Sequence, residues 1–140
     1  VAPEAGLLPE SRAARARCRS ICGEMHSGFS NLRSALPMNL KAHFPGFKVW
    51  SGAQADIDRV TTIWRECLAA YRGPYLFGAR AGMADAMYAP EVTRFVTYHV
   101  RLDDECLDYC RTIMAMPAMQ EWLAGAQEEP EEALEFDVES

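Results

Sequence analysis

Apolar side chains recur at Ile21, Met25, Phe29, Leu32 and Leu36, in steps of four, four, three and four residues. Such steps return to one face of an α-helix; a β-strand, which changes face at every residue, cannot use them. The pattern predicts a first helix from Ser11 to Leu36, ended by Pro37, which lacks the backbone donor a helix interior requires. A second helix is expected from about Ala53 to Tyr71. It turns Ile57, Val60, Trp64, Cys67, Leu68 and Tyr71 inward and leaves Asp56, Asp58, Arg59, Arg65 and Glu66 toward water, until Gly73 and Pro74 stop it. A third runs from Met83 to about His99 despite Pro90, with Met83, Ala84, Met87, Tyr88, Val92 and Phe95 on its inner face. Acidic residues favour the start of a fourth, Asp103 to Met114, through the helix dipole. Pro117 suits the first turn of a short last helix whose apolar residues are Met119, Trp122 and Leu123. Residues 38–52 hold Pro45, Gly46 and Gly52 among Phe44, Phe47 and Trp50 and read as a packed loop or a short turn of helix, and Tyr75-Leu76-Phe77-Gly78 as a short apolar connection. With no sustained period-two run and no internal repeat, the fold class is all-α, a bundle of about five helices.

A chain of 140 residues with 49% apolar content has the length for one domain and its core. We divide it into a linker-like segment, residues 1–10, a helical domain, 11–126, and an acidic tail, 127–140. The division follows the charge. Of 20 acids against 14 bases, seven acids and no base fall in residues 128–140, so the rest of the chain is close to neutral. Such a tail is expected to stay solvated. Arg12, Arg15, Arg17 and Arg19 form the one basic cluster and read as the polar face of a helix, so no nucleic-acid partner is expected. No apolar run reaches the length of a membrane span, and the first residues have no signal-peptide core. Together with five cysteines, an odd number, this points to an intracellular, reducing compartment, cytoplasm or organelle matrix, and away from secretion.

Cys18 and Cys22 lie four apart, as do Cys106 and Cys110, so each pair stacks on one helix face. Two facing pairs would suit a soft metal, but the spacing matches no zinc ribbon and buried cysteine packs as a small hydrophobe; no metal is expected. His26 beside Ser27 has no carboxylate orienter in sequence and reads as a surface or capping residue. His43 and His99 form no constellation.

The segment Tyr75–Phe95, YLFGARAGMADAMYAPEVTRF, resembles the signature of the helical C-terminal domain of cytosolic glutathione transferases, where an "FLFG" loop precedes an S/T-x-A-D capping box. In that box the N-cap hydroxyl and the acid three residues on satisfy each other's backbone N–H. Here Asp85 holds the acid position and Gly82 replaces the hydroxyl residue. Arg19–Asn39 is similar to the family's first long helix in this domain, Asp56–Trp64 to the next, Leu107–Trp122 to the closing pair, and Glu4–Pro9 to the linker between domains. The likeness covers about residues 4–125.

The resemblance implies no catalytic residue in this stretch, because the groups that hold glutathione and its thiolate belong to a thioredoxin-like N-terminal domain. Glutathione is a cofactor only if such a domain is supplied. It also implies candidates for the hydrophobic-substrate pocket: Met25, Phe29 and Arg33 on one wall, Tyr88, Val92 and Phe95 opposite or beneath, though such a stripe is more often plain core than pocket, Tyr88 and Phe95 above all. The expected function is a helical module, non-catalytic by itself, that packs against protein as part of a larger assembly. The alternative is the substrate-pocket half of a transferase, and a weaker third reading is a small-molecule carrier. A large apolar face on the first and third helices is expected, covered by a protein partner, a homodimer being one such arrangement.

Overall fold

A computed structural model describes residues 8–128, and its element order is α1 (Arg12–Ser27), α2 (Ser30–Ala35), α3 (Ser51–Tyr71), α4 (Met83–Thr97), α5 (Asp104–Met114) and α6 (Pro117–Glu128). Most of the linker-like segment and nearly all of the acidic tail lie outside the described residues. Ser11 starts α1 by accepting the Ala14 N–H on its hydroxyl at 3.1 Å, which satisfies one of the donors a helix start leaves open.

The single helix expected from Ser11 to Leu36 is two. Gly28 is extended, and Phe29 takes a left-handed conformation with φ 61° and ψ 33°. Gly28 makes the break feasible, since a Cβ there would sit 2.7 Å from the Glu24 carbonyl oxygen. A left-handed Phe costs about 1–2 kcal/mol, and burial of its ring offsets this. α2 is then capped from another helix: Asp56 of α3 accepts the Leu32 N–H at 3.0 Å. The apolar stripe survives the break because Met25, Phe29, Leu32 and Leu36 are all buried on the same side.

α4 is the central helix, packed between α1 and α5, with α2 and α5 against α3. Pro90 deprives the Ala86 carbonyl of its helical donor, and Ala86 faces water, which can supply one. The helix ends at Thr97, two residues before the expected His99, which lies at φ 50°. At the middle of the core Trp64 is fully buried, its ring 4.8 Å from Tyr109, 5.3 Å from Phe95 and 6.3 Å from Tyr88. Tilted and edge-on rings at these separations add to the burial of apolar area.

The segment between α2 and α3 has no regular structure and is fastened to α4 by side chains. Arg94 Nε donates to the Leu36 carbonyl at 3.0 Å, Tyr98 Oη to Pro37 at 2.7 Å, and Thr97 Oγ1 to Asn39 at 2.8 Å. The Phe44 N–H returns a bond to the Thr97 carbonyl at 2.8 Å. Among the described residues there is no strand beyond an isolated Tyr75–Gly78 bridge, and no helix is long and apolar enough to cross a membrane.

Candidate functional site

The turn before α4 is built around one carboxylate. Asp85 is 3% exposed and accepts three bonds: from Gly82 N–H at 2.9 Å, Leu76 N–H at 3.1 Å and Tyr109 Oη at 2.8 Å. Gly82 has no side chain to reciprocate, so half of a capping box is present, and the lost half is replaced by links to the 75–78 connection and to α5. Burial raises the Asp85 carboxyl above the usual range, and the three donors hold it back.

The pocket candidates Met25 and Phe29 meet Tyr88, Val92 and Phe95 across the α1–α4 contact. There they close on one another: exposure runs from 0 to 7%. Tyr88 Oη donates to the Ile21 carbonyl at 2.9 Å, tying the two walls together. Arg33 is half-buried on α2. The first and third predicted helices therefore do not present the open apolar face expected of them, because each has the other to bury it. Among the described residues the large hydrophobic side chains that do stand in water are Phe44, Phe47 and Trp50, between α2 and α3, and Trp122 on α6. Phe44 stacks on Tyr98 at 5.2 Å and Phe47 meets the same ring edge-on at 4.9 Å, beside a His43–His99 contact at 5.6 Å.

One charged pair escaped the sequence reading. Glu91, fully buried in α4, pairs with Arg94 at 3.2 Å, and its second oxygen, Oε2, has no hydrogen-bond partner among the described residues. Burial pushes the Glu91 carboxyl up to about 7, against the pull of Arg94 and Arg33. The signal available was two charges three residues apart inside an otherwise apolar helix face.

All five cysteines are free and buried. Burial pushes Cys110 up to about 12 and raises Cys67 and Cys106, while a hydrogen bond with Cys22 lowers Cys18 and raises its partner. Among the described residues no group of three or more His, Cys, Asp or Glu is placed to hold a metal ion. His26 is exposed. Clefts among the described residues include one of about 330 Å³ between α3 and α5 beside Arg72, Glu105 and Asp108, and one of about 230 Å³ between the 40–43 segment, α4 and α6.

Comparison with known proteins adds the ancestry. A family model described as glutathione S-transferase, C-terminal domain, matches residues 12–125. Among solved structures, a glutathione transferase homologue from Burkholderia gl BGR1, determined with bound glutathione, superposes with a TM-score of 0.58 at 21% identity, covering 88% of this chain and 56% of that one. The chain thus spans little more than half the length of that protein, and at this identity the likeness is one of fold. No curated protein matches the sequence.

Proposed function

Because the chain belongs to the glutathione S-transferase C-terminal-domain family, we propose that its helical domain serves as a packing module that binds protein and performs no sulfur chemistry of its own. One observation carries the reading: five of the six residues that would line a substrate pocket, Met25, Phe29, Tyr88, Val92 and Phe95, are closed in the core, whereas Phe44, Phe47 and Trp50 are 42–54% exposed. Adjacent exposed aromatics mark an association surface more often than a catalytic one. Activation of a thiol as nucleophile needs a donor aimed at the sulfur. The resemblance assigns that donor to a thioredoxin-like half, which residues 12–125 do not match. Five free thiols support a reducing compartment.

A second copy of the chain is the probe at hand. Sedimentation velocity in high salt, where repulsion between chains of net charge −6 is screened, is expected to show mass rising with concentration, and Phe44→Ser with Phe47→Ser to abolish the rise. A monomer at every concentration that binds no hydrophobic dye refutes the packing reading. The second reading, the pocket half of a transferase, draws on the glutathione bound to the Burkholderia homologue. Incubating the chain with glutathione and 1-chloro-2,4-dinitrobenzene separates the two: turnover above the uncatalysed rate overturns the non-catalytic assignment.

A further inference from the structure

No Asp or Glu occurs between Glu24 and Asp56, an interval that carries Arg33, Lys41 and Lys48. Folding brings part of this acid-free interval against the end of α4, where His99 and Arg101 are exposed, and sets Phe44 and Phe47 around the Tyr98 ring. The acid-free interval is basic and aromatic in a chain whose net charge is −6, and the exposed Asp103, Asp104 and Glu105 follow Arg101, Asp103 being paired with Arg65. Beside this interval opens the cleft of about 230 Å³, lined among others by Leu40, His43, Val96, Met114, Leu123 and Gln127. That volume accepts one large apolar side chain. Gln127 is the penultimate residue of α6, so the chain leaves its last helix at the rim of this cleft.

The sequence that follows, EPEEALEFDVES over residues 129–140, alternates acids with Leu134, Phe136 and Val138 and contains no base. We propose that this segment, which lies outside the described residues, binds back on the same molecule, with Leu134 or Phe136 entering the cleft and its carboxylates facing Lys48, His43, His99 and Arg101. Reach is sufficient. The six residues from Glu128 to Leu134 span up to about 20 Å when extended. Tethering helps as well, because a short linker presents its ligand at an effective concentration on the order of millimolar, which a free acidic peptide seldom matches. The negative charge of the whole chain repels other acidic partners and anionic membranes, but it does not repel a segment already attached. This inference goes beyond the packing reading and does not need it, since it concerns which segment occupies the surface when no partner is present.

The test uses the full chain. Because all five native thiols are buried, a nitroxide on the Ser140→Cys variant labels the tail selectively. In low salt, amide signals of residues 40–48 and of His99 are expected to broaden, and the broadening to fall about two- to fivefold in Lys48→Glu and further in Leu134→Ser with Phe136→Ser. High salt should remove it, while circular dichroism stays unchanged. Weak broadening spread evenly over the surface, or broadening insensitive to the variants, overturns the proposal. So does broadening seen only when labelled chain is mixed with a separate isotope-enriched chain, which assigns the surface to a second copy. Perturbation of residues 40–48 by phosphatidylserine vesicles with no effect of the nitroxide assigns it to a membrane, and equally overturns it.

Discussion

Replacing Asp85 by Ala removes the acceptor of three donors at once: the Leu76 N–H, the Gly82 N–H and the Tyr109 hydroxyl. A buried donor left without a partner costs about 1–3 kcal/mol. The Leu76 and Tyr109 bonds are buried, whereas Gly82 is half-exposed and water can replace its partner. The expected loss is about 3–5 kcal/mol, a large share of the roughly 5–15 kcal/mol that stabilises a domain. Tyr109→Phe deletes one donor without orphaning backbone and should cost about 1–2 kcal/mol. Asp85→Asn keeps the shape but turns an amide NH₂ toward one of the donors, so it falls between the two. Urea unfolding followed by far-ultraviolet circular dichroism measures each value, and the cycle of Asp85→Asn with Tyr109→Phe gives their coupling. If Asp85→Ala loses less than about 1 kcal/mol, or if Asp85 and Tyr109 prove additive, the carboxylate does not organise this turn and the reasoning fails.

The other predictions are briefer. Glu91 titrates near 7 in the folded chain and near the ordinary glutamate value when unfolded, so the folded state holds the proton more tightly. Stability should therefore rise as pH falls from about 8 toward about 5 and decline as the carboxyl ionises, with Glu91→Gln flattening the trend; a level wild-type profile contradicts it. In the native protein a thiol reagent such as dithionitrobenzoate should react slowly, then titrate all five cysteines on unfolding; one fast thiol under native conditions would point to an open site beside α1, α3 or α5. Phe29→Ala should cost about 3 kcal/mol in the same urea assay, because burial of the ring is lost while the left-handed strain, which Ala shares, remains. Tyr98→Phe, which leaves the Pro37 carbonyl near water, should cost about 1 kcal/mol.

Helix period made the architecture readable, because α1, α3 and α5 each have one buried stripe, the breakers Pro37, Gly73 and Pro74 fall between helices, and Pro117 opens α6. The same logic hid the break at Gly28–Phe29. Met25 and Leu32 face the core from either side of it, so the apolar spacing runs through a change of direction that only backbone conformation reveals. Asp85 was visible as a capping acid, but its bond to Tyr109 joins residues 24 apart in sequence, which no local pattern encodes. Periodicity also showed that Met25, Tyr88, Val92 and Phe95 point inward without showing whether the interior is filled. That depends on which helix lies opposite, and α1 and α4 prove to fill each other. The exposed aromatics at Phe44 and Phe47 lay in a stretch without period, where sequence offers no face to assign.

The fastening of the 36–50 stretch to α4 has a consequence for how this protein tolerates change. Arg94, Thr97 and Tyr98 grip main-chain oxygens of Leu36, Asn39 and Pro37, and a carbonyl is offered by every residue type. At Pro37 and Asn39 the grip itself asks little of the side chain, so surface chemistry in the stretch beyond can diverge while its path is kept. The constraint sits on the opposite side, in Arg94 and Thr97 of α4 and Tyr98 just past its end, and new recognition properties can be tried out on a length of chain whose course is set elsewhere.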